Sequence, residues 1–90
     1  MTDPLEKRFI IMLEEAGLEY TRPEHDRRDP ATLDFYIRDF GLYVEVKQFF
    51  TPRLSGQLAK VPVGASIMVL IGPRSVDAFE RLVKMLAMRP

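Results

Sequence analysis

Apolar side chains recur at helical spacing near the start of the chain. On a wheel of about 100° per residue, Leu5, Phe9, Met12, Leu13 and Ala16 share one arc, which predicts a helix from about Pro4 to Ala16. Asp3-Pro4-Leu5-Glu6 has the form of its start: Asp3 can cap, proline suits the first helical position, and Glu6 can close a capping box. Gly17 is a natural left-handed stop. Glu6 departs from the polar face, because its wheel position sets it beside Leu13 and Ile10 on the edge of the buried arc.

A period of two then takes over. Leu18 to Arg22 suits a short strand, and the polar, proline-bounded segment from Pro23 to Pro30 reads as a loop. Thr32 to Arg38 alternates Leu33, Phe35 and Ile37 against Asp34, Tyr36 and Arg38. Leu42 to Phe49 alternates Leu42, Val44 and Val46 against Tyr43, Glu45, Lys47 and Phe49, with Asp39-Phe40-Gly41 as turn chemistry between the two runs. Within the segment from Thr51 to Pro62, Arg53 to Lys60 has room for two helical turns, weakened by Gly56. Ala65 to Ile71 is almost wholly apolar and β-rich, the pattern of a central strand covered on both faces. Gly72-Pro73 ends it; Ser75 can cap a last helix with Asp77 in its first turn, and Phe79, Leu82, Val83 and Leu86 return at helical spacing to about Ala87. The order αβββαβα predicts an α/β (α+β) fold with a mixed four-stranded sheet flanked by helices.

Length and charge narrow this picture. Ninety residues predict a single domain over 1–90. A chain of this size buries only about 60–65% of its unfolded surface, so self-association is expected. The absence of cysteine excludes a thiol nucleophile, a disulfide scaffold and a cysteine-built metal site. Thirteen basic residues cancel thirteen acidic ones, so any nucleic-acid face must come from local segregation of charge. Met1-Thr2-Asp3-Pro4 lacks the pattern of a targeting signal, and the apolar run Ile67 to Ile71 is far short of the roughly 20 residues that span a bilayer. The expectation is a cytoplasmic protein that does not enter the membrane.

The alternation places Glu45 and Lys47 on one face of one strand. Asp34 joins them only if it pairs opposite Glu45 or Lys47, which an even-numbered hairpin loop provides; a three-residue loop would pair it with Val46. Two carboxylates and an ammonium so gathered suit phosphodiester hydrolysis. Asp34 and Glu45 are hard oxygen ligands for Mg²⁺, which usually takes only one or two protein carboxylates, and the Val46 carbonyl can add a further one. Lys47 would orient the attacking water or offset charge growing on the phosphate. Glu6 could reach the same site from its helix.

A helix with a glutamate, an antiparallel run carrying Asp34, then Glu45-Val46-Lys47, a helix and another strand resemble the PD-(D/E)XK, or restriction-endonuclease-like, nuclease superfamily. The resemblance runs from Leu5 to about Ile71. It implies a Mg²⁺-dependent DNA endonuclease, with Mn²⁺ able to substitute, of a prokaryotic cell or a phage. Asp34 and Glu45 would bind metal, Lys47 would assist the attacking water, Glu6 would be the helix glutamate, and Gln57 would be the accessory polar residue after the catalytic strand. Leu33 stands where many members carry proline.

Each residue also has a plainer reading. A Glu-x-Lys pair on a half-exposed strand is commonly a solvated pair, Glu6 serves the capping box, and Gln57 alone reads as a surface helix residue. Tyr36 and Tyr43 either cover the sheet or stack on a base. His25, the only histidine, reads as a loop residue, with DNA contact or proton transfer as its other uses. Arg22, Arg27, Arg28 and Arg53 flank the site and could hold DNA phosphates. A non-catalytic nucleic-acid or protein interaction module is the alternative function. A homodimer is expected, because two sites would meet antiparallel strands and cover apolar surface; Ile11 projects opposite the apolar arc of its helix.

Overall fold

A computed structural model of the chain describes residues 3–22, 34–59, 61 and 63–87. Helix α1 (Pro4–Glu15) begins where the capping signals predict: Leu5 N–H donates to Asp3 Oδ1 at 2.8 Å, and Asp3 N–H donates to Glu6 Oε2 at 3.4 Å. It ends at Ala16, after which Gly17 takes φ 71°, a conformation costly for residues with a Cβ. Strand β1 (Tyr20–Thr21) is shorter than its predicted run. It pairs antiparallel with β2 (Phe35–Ile37), which pairs antiparallel with β3 (Leu42–Lys47). Helix α2 (Arg53–Ala59), strand β4 (Ser66–Ile71) and helix α3 (Pro73–Ala87) follow. The sheet order is β1-β2-β3-β4 with β4 parallel to β3, so the αβββαβα order and the mixed four-stranded sheet are both present.

The register explains which residues are buried. Phe35 pairs with Val44 and Ile37 with Leu42, while Val44 lies beside Met68 and Val46 beside Leu70. These residues form one apolar face, and α1 and α3 close over it. Leu5, Phe9, Met12 and Leu13 meet Val76, Phe79 and Val83 above the sheet. Phe9 is fully buried, its ring centroid 5.0 Å from that of Phe35 and 5.6 Å from that of Phe79. Arg8 and Asp77 form an ion pair between the two helices.

Three expectations are corrected. β4 is an edge strand, not a central one, and Leu70 is its only buried residue. α3 covers its inner face, but α2, on the other face, is seven residues and about 10 Å long, too short to cover β4 as well as the site. The last helix starts directly at Pro73, so Ser75 lies inside it; its hydroxyl donates to the Ile71 carbonyl at 2.7 Å and does not cap. Leu82 and Leu86 are exposed although they share helical spacing with Phe79 and Val83. With Phe40, Leu42 and Met68 they line an apolar groove of ≈ 440 Å³ where the sheet ends before covering this flank of α3. Among the described residues, no helix is long and apolar enough to cross a membrane.

Candidate functional site

The hairpin sets the site. Its loop, Arg38 to Gly41, has four residues, an even number, and Gly41 turns the chain into β3 at φ 60°. Tyr36 therefore lies opposite Tyr43, and one further step of the same register brings Asp34 opposite Glu45. Both belong to the face opposite Val44 and Val46. Sequence alternation thus places the pair as the even loop requires.

The two carboxylates are clasped through the backbone. Asp34 N–H donates to Glu45 Oε2 at 3.1 Å, and Val46 N–H donates to Asp34 Oδ2 at 2.9 Å. Gly72 N–H reaches the Lys47 carbonyl at 2.8 Å on the β4 side; by alternation the N–H and carbonyl of Val46 leave the strand on the β2 side, beside Asp34. Lys47 Nζ lies 2.9 Å from Glu45 Oε1, and Gln57 Nε2 donates to the same oxygen at 3.3 Å. Gln57 is buried, which corrects its reading as a surface helix residue: α2 turns it down onto the sheet, with Leu54 as the other buried residue of that helix.

Glu6 serves two ends. It completes the capping box, and its carboxylate also shares a hydrogen bond with Asp34 and lies 3.5 Å from the Arg22 guanidinium. Asp34, Glu45, Lys47, Glu6 and Gln57 are accordingly linked in one network. Arg22 is partly exposed, its guanidinium 4.9 Å from the centre of the Phe35 ring and beside Glu6. Arg53 is exposed at the start of α2. The readings of His25, Arg27 and Arg28, like that of Leu33, fall outside the described residues. Tyr36 and Tyr43 are half-buried against each other, centroids 4.8 Å apart, and cover the sheet beside the site.

Asp34 and Glu45 are 5% and 0% exposed, so their charges lack water. Burial, then the charge of Glu45 and the hydrogen bond with Glu6, push the Asp34 carboxyl up to about 8, against the opposing effect of Val46 N–H. For Lys47 burial acts downward, but the hydrogen bond to Glu45 and the charges of Glu45, Asp34 and Glu6 outweigh it and raise its pKa. Lys47 therefore stays an ammonium at neutral pH. Ionised together, Asp34 and Glu45 would exceed the charge of Lys47, so Asp34 keeps its proton at neutral pH; deprotonated, the pair is a hard oxygen donor set that fits a divalent cation. Among the described residues, no three or more His, Cys, Asp or Glu side chains form a metal-holding group on their own. Two carboxylates with a backbone carbonyl and water are the kind of set Mg²⁺ accepts.

Sequence reasoning missed the backbone clasp and one feature of charge. Residues 46–76 contain Lys47, Arg53, Lys60 and Arg74 but no Asp or Glu, a signal visible in the sequence itself. Phe49, expected on the site face of a longer strand, lies beyond the end of β3 and is 75% exposed, next to Phe50 at 66%. No family model, curated protein or solved structure matches the chain.

Proposed function

We propose that the protein is a metal-dependent endonuclease that hydrolyses phosphodiester bonds in DNA. The observation that carries this reading is the convergence of Asp34, just before β2, with Glu45 and Lys47 of β3, two carboxyls buried and one ammonium against Glu45. A structural ion pair needs one acid and one base, whereas a second buried carboxylate is an expense that a cation-binding site explains.

Asp34 and Glu45, with the Val46 carbonyl, would hold Mg²⁺ or Mn²⁺. A divalent cation bound there supplies Lewis-acid charge, acidifying water and offsetting the charge that grows on the phosphate. The chain's own groups do the rest. Lys47, held as an ammonium, donates a hydrogen bond to the attacking water or to a phosphate oxygen; it does not accept the proton. Gln57 and Lys47 together hold Glu45 Oε1, and Val46 N–H holds Asp34 Oδ2, so both acids are fixed before substrate arrives. In the reaction, a water oxygen bonds to phosphorus as that water gives up a proton to surrounding solvent, the ester P–O bond breaks, and the departing alkoxide takes a proton from solvent, leaving a phosphomonoester and a free hydroxyl.

This reading carries a cytoplasmic location and a homodimer that offers one site to each DNA strand. Incubation of the purified protein with supercoiled plasmid tests it: nicking in the presence of Mg²⁺ or Mn²⁺ and none with chelator is expected. A protein that binds DNA without cutting it under any divalent cation would be the interaction module instead.

A further inference from the structure

Phe49 and Phe50 are large, adjacent and exposed, yet the segment bearing them is anchored at both ends. Gln48 Nε2 donates to Asp3 Oδ2 at 2.9 Å, tying its start to the cap of α1, and Leu54 N–H donates to the Thr51 carbonyl at 3.1 Å, tying its end to α2. Chain length alone keeps their Cα atoms within about 7 and 11 Å of that of Lys47. They lie between Lys47 and Arg53, in the acid-free run 46–76. The apolar groove is elsewhere, along α3 and the opposite sheet face, so the two rings are not part of it.

Exposed aromatic rings flanked in sequence by Lys47 and the exposed Arg53, with no acidic residue between them, suit a polyanion whose bases are available for stacking. In a uniform duplex the bases already stack on one another and only groove edges and phosphates are offered. We infer that Phe49 and Phe50 form a stacking platform for unpaired bases next to the scissile phosphate, so that the preferred substrate is forked or single-stranded DNA and not blunt duplex. The inference rests on the nuclease reading for the position of the cut, but the base preference is a binding property and is measurable without cleavage.

The experiment is fluorescence anisotropy of the full chain in chelator with a labelled single strand, the matching blunt duplex and a forked duplex. Single-stranded and forked DNA are expected to bind about tenfold more tightly than blunt duplex. The double variant Phe49→Ala/Phe50→Ala should erase that difference while leaving blunt-duplex affinity and the thermal midpoint unchanged, because both rings are exposed. Phe49→Tyr/Phe50→Tyr should keep it. Equal affinity for forked and blunt DNA, or a preference that survives loss of both rings, overturns the inference. So does a double variant whose base preference is intact but whose self-association is lost on sedimentation, since the rings would then be a contact between copies. Plasmid nicking with Mg²⁺, measured on the unaltered protein in parallel, reports separately on the nuclease reading.

Discussion

The main-chain N–H of Asp34 donates to Glu45 Oε2 at 3.1 Å, although the two residues are eleven apart in sequence and both side chains are acidic. The contact holds one carboxylate against the residue that carries the other, and charge follows from it. With its ordinary value of 3.8, an unfolded Asp34 is ionised across the range in which the folded protein, at about 8, keeps it protonated.

Between those values the folded state binds a proton that the unfolded state lacks, so this group's contribution to stability falls as pH rises from about 4 to about 8, then levels off. Asp34→Asn cannot titrate. Measured by urea unfolding in chelator, the variant should gain on the unaltered protein steadily over that window. A difference that stays constant or reverses in sign would contradict the assignment of cause.

Divalent cation should reverse the penalty. A ligand present at tenfold its dissociation constant adds about 1.4 kcal/mol, and a domain of this size gains about 4–8 °C per kcal/mol. Because the ligands must be deprotonated, the thermal shift with Mg²⁺ or Mn²⁺ should be larger at pH 8 than at pH 6, and absent from Glu45→Gln. A shift that is equal at both pH values, or retained by the variant, would place the cation elsewhere.

Phe9 is the hinge of the core, with Phe35 below and Phe79 beside it. Removing its ring leaves a cavity between sheet and both helices. Phe9→Ala should cost about 3–5 kcal/mol, read as a lower urea midpoint, and in a domain of this length that is a large share of the total. Ile11→Ala, with a side chain 55% exposed on the same helix, should cost under about 0.5 kcal/mol in the same assay.

The exposed apolar groove beneath Leu82 and Leu86 accords with a chain that covers surface by pairing with a second copy. Light scattering at micromolar concentration should return a dimer mass, and Leu82→Glu/Leu86→Glu should return a monomer. A monomer mass for the unaltered protein, with and without DNA, would refute the homodimer and leave the proposed nuclease with a single site.

The hairpin was legible because alternation on both strands and turn residues ending in Gly41 agree, but its register was not: Asp39-Phe40-Gly41 read as the turn, and only when Arg38 leaves the strand to make a four-residue loop does Asp34 align with Glu45. The capping role of Glu6 was legible from a similar agreement of signals. The place of β4 was not, since an apolar run such as Ile67 to Ile71 reports what the strand tolerates and not how many neighbours it has. Leu82 and Leu86 misled in a related way: helical spacing names the apolar stripe, but the width of the sheet decides how much of it is covered. Gln57 could not be read as buried from its own surroundings, because its partner, Glu45, is twelve residues away and meets it only once α2 folds back.

The most direct test is plasmid cleavage by four proteins side by side: the unaltered chain, Asp34→Ala, Glu45→Ala and Lys47→Ala, each with Mg²⁺ or Mn²⁺ and each again with chelator. Metal-dependent nicking by the first, lost on chelation, is expected, with a drop of about 10²–10⁴-fold in rate for each variant and folding checked by circular dichroism. Cleavage of equal rate in all four proteins would contradict the nuclease reading, as would a folded, pure and metal-loaded unaltered chain that leaves DNA intact.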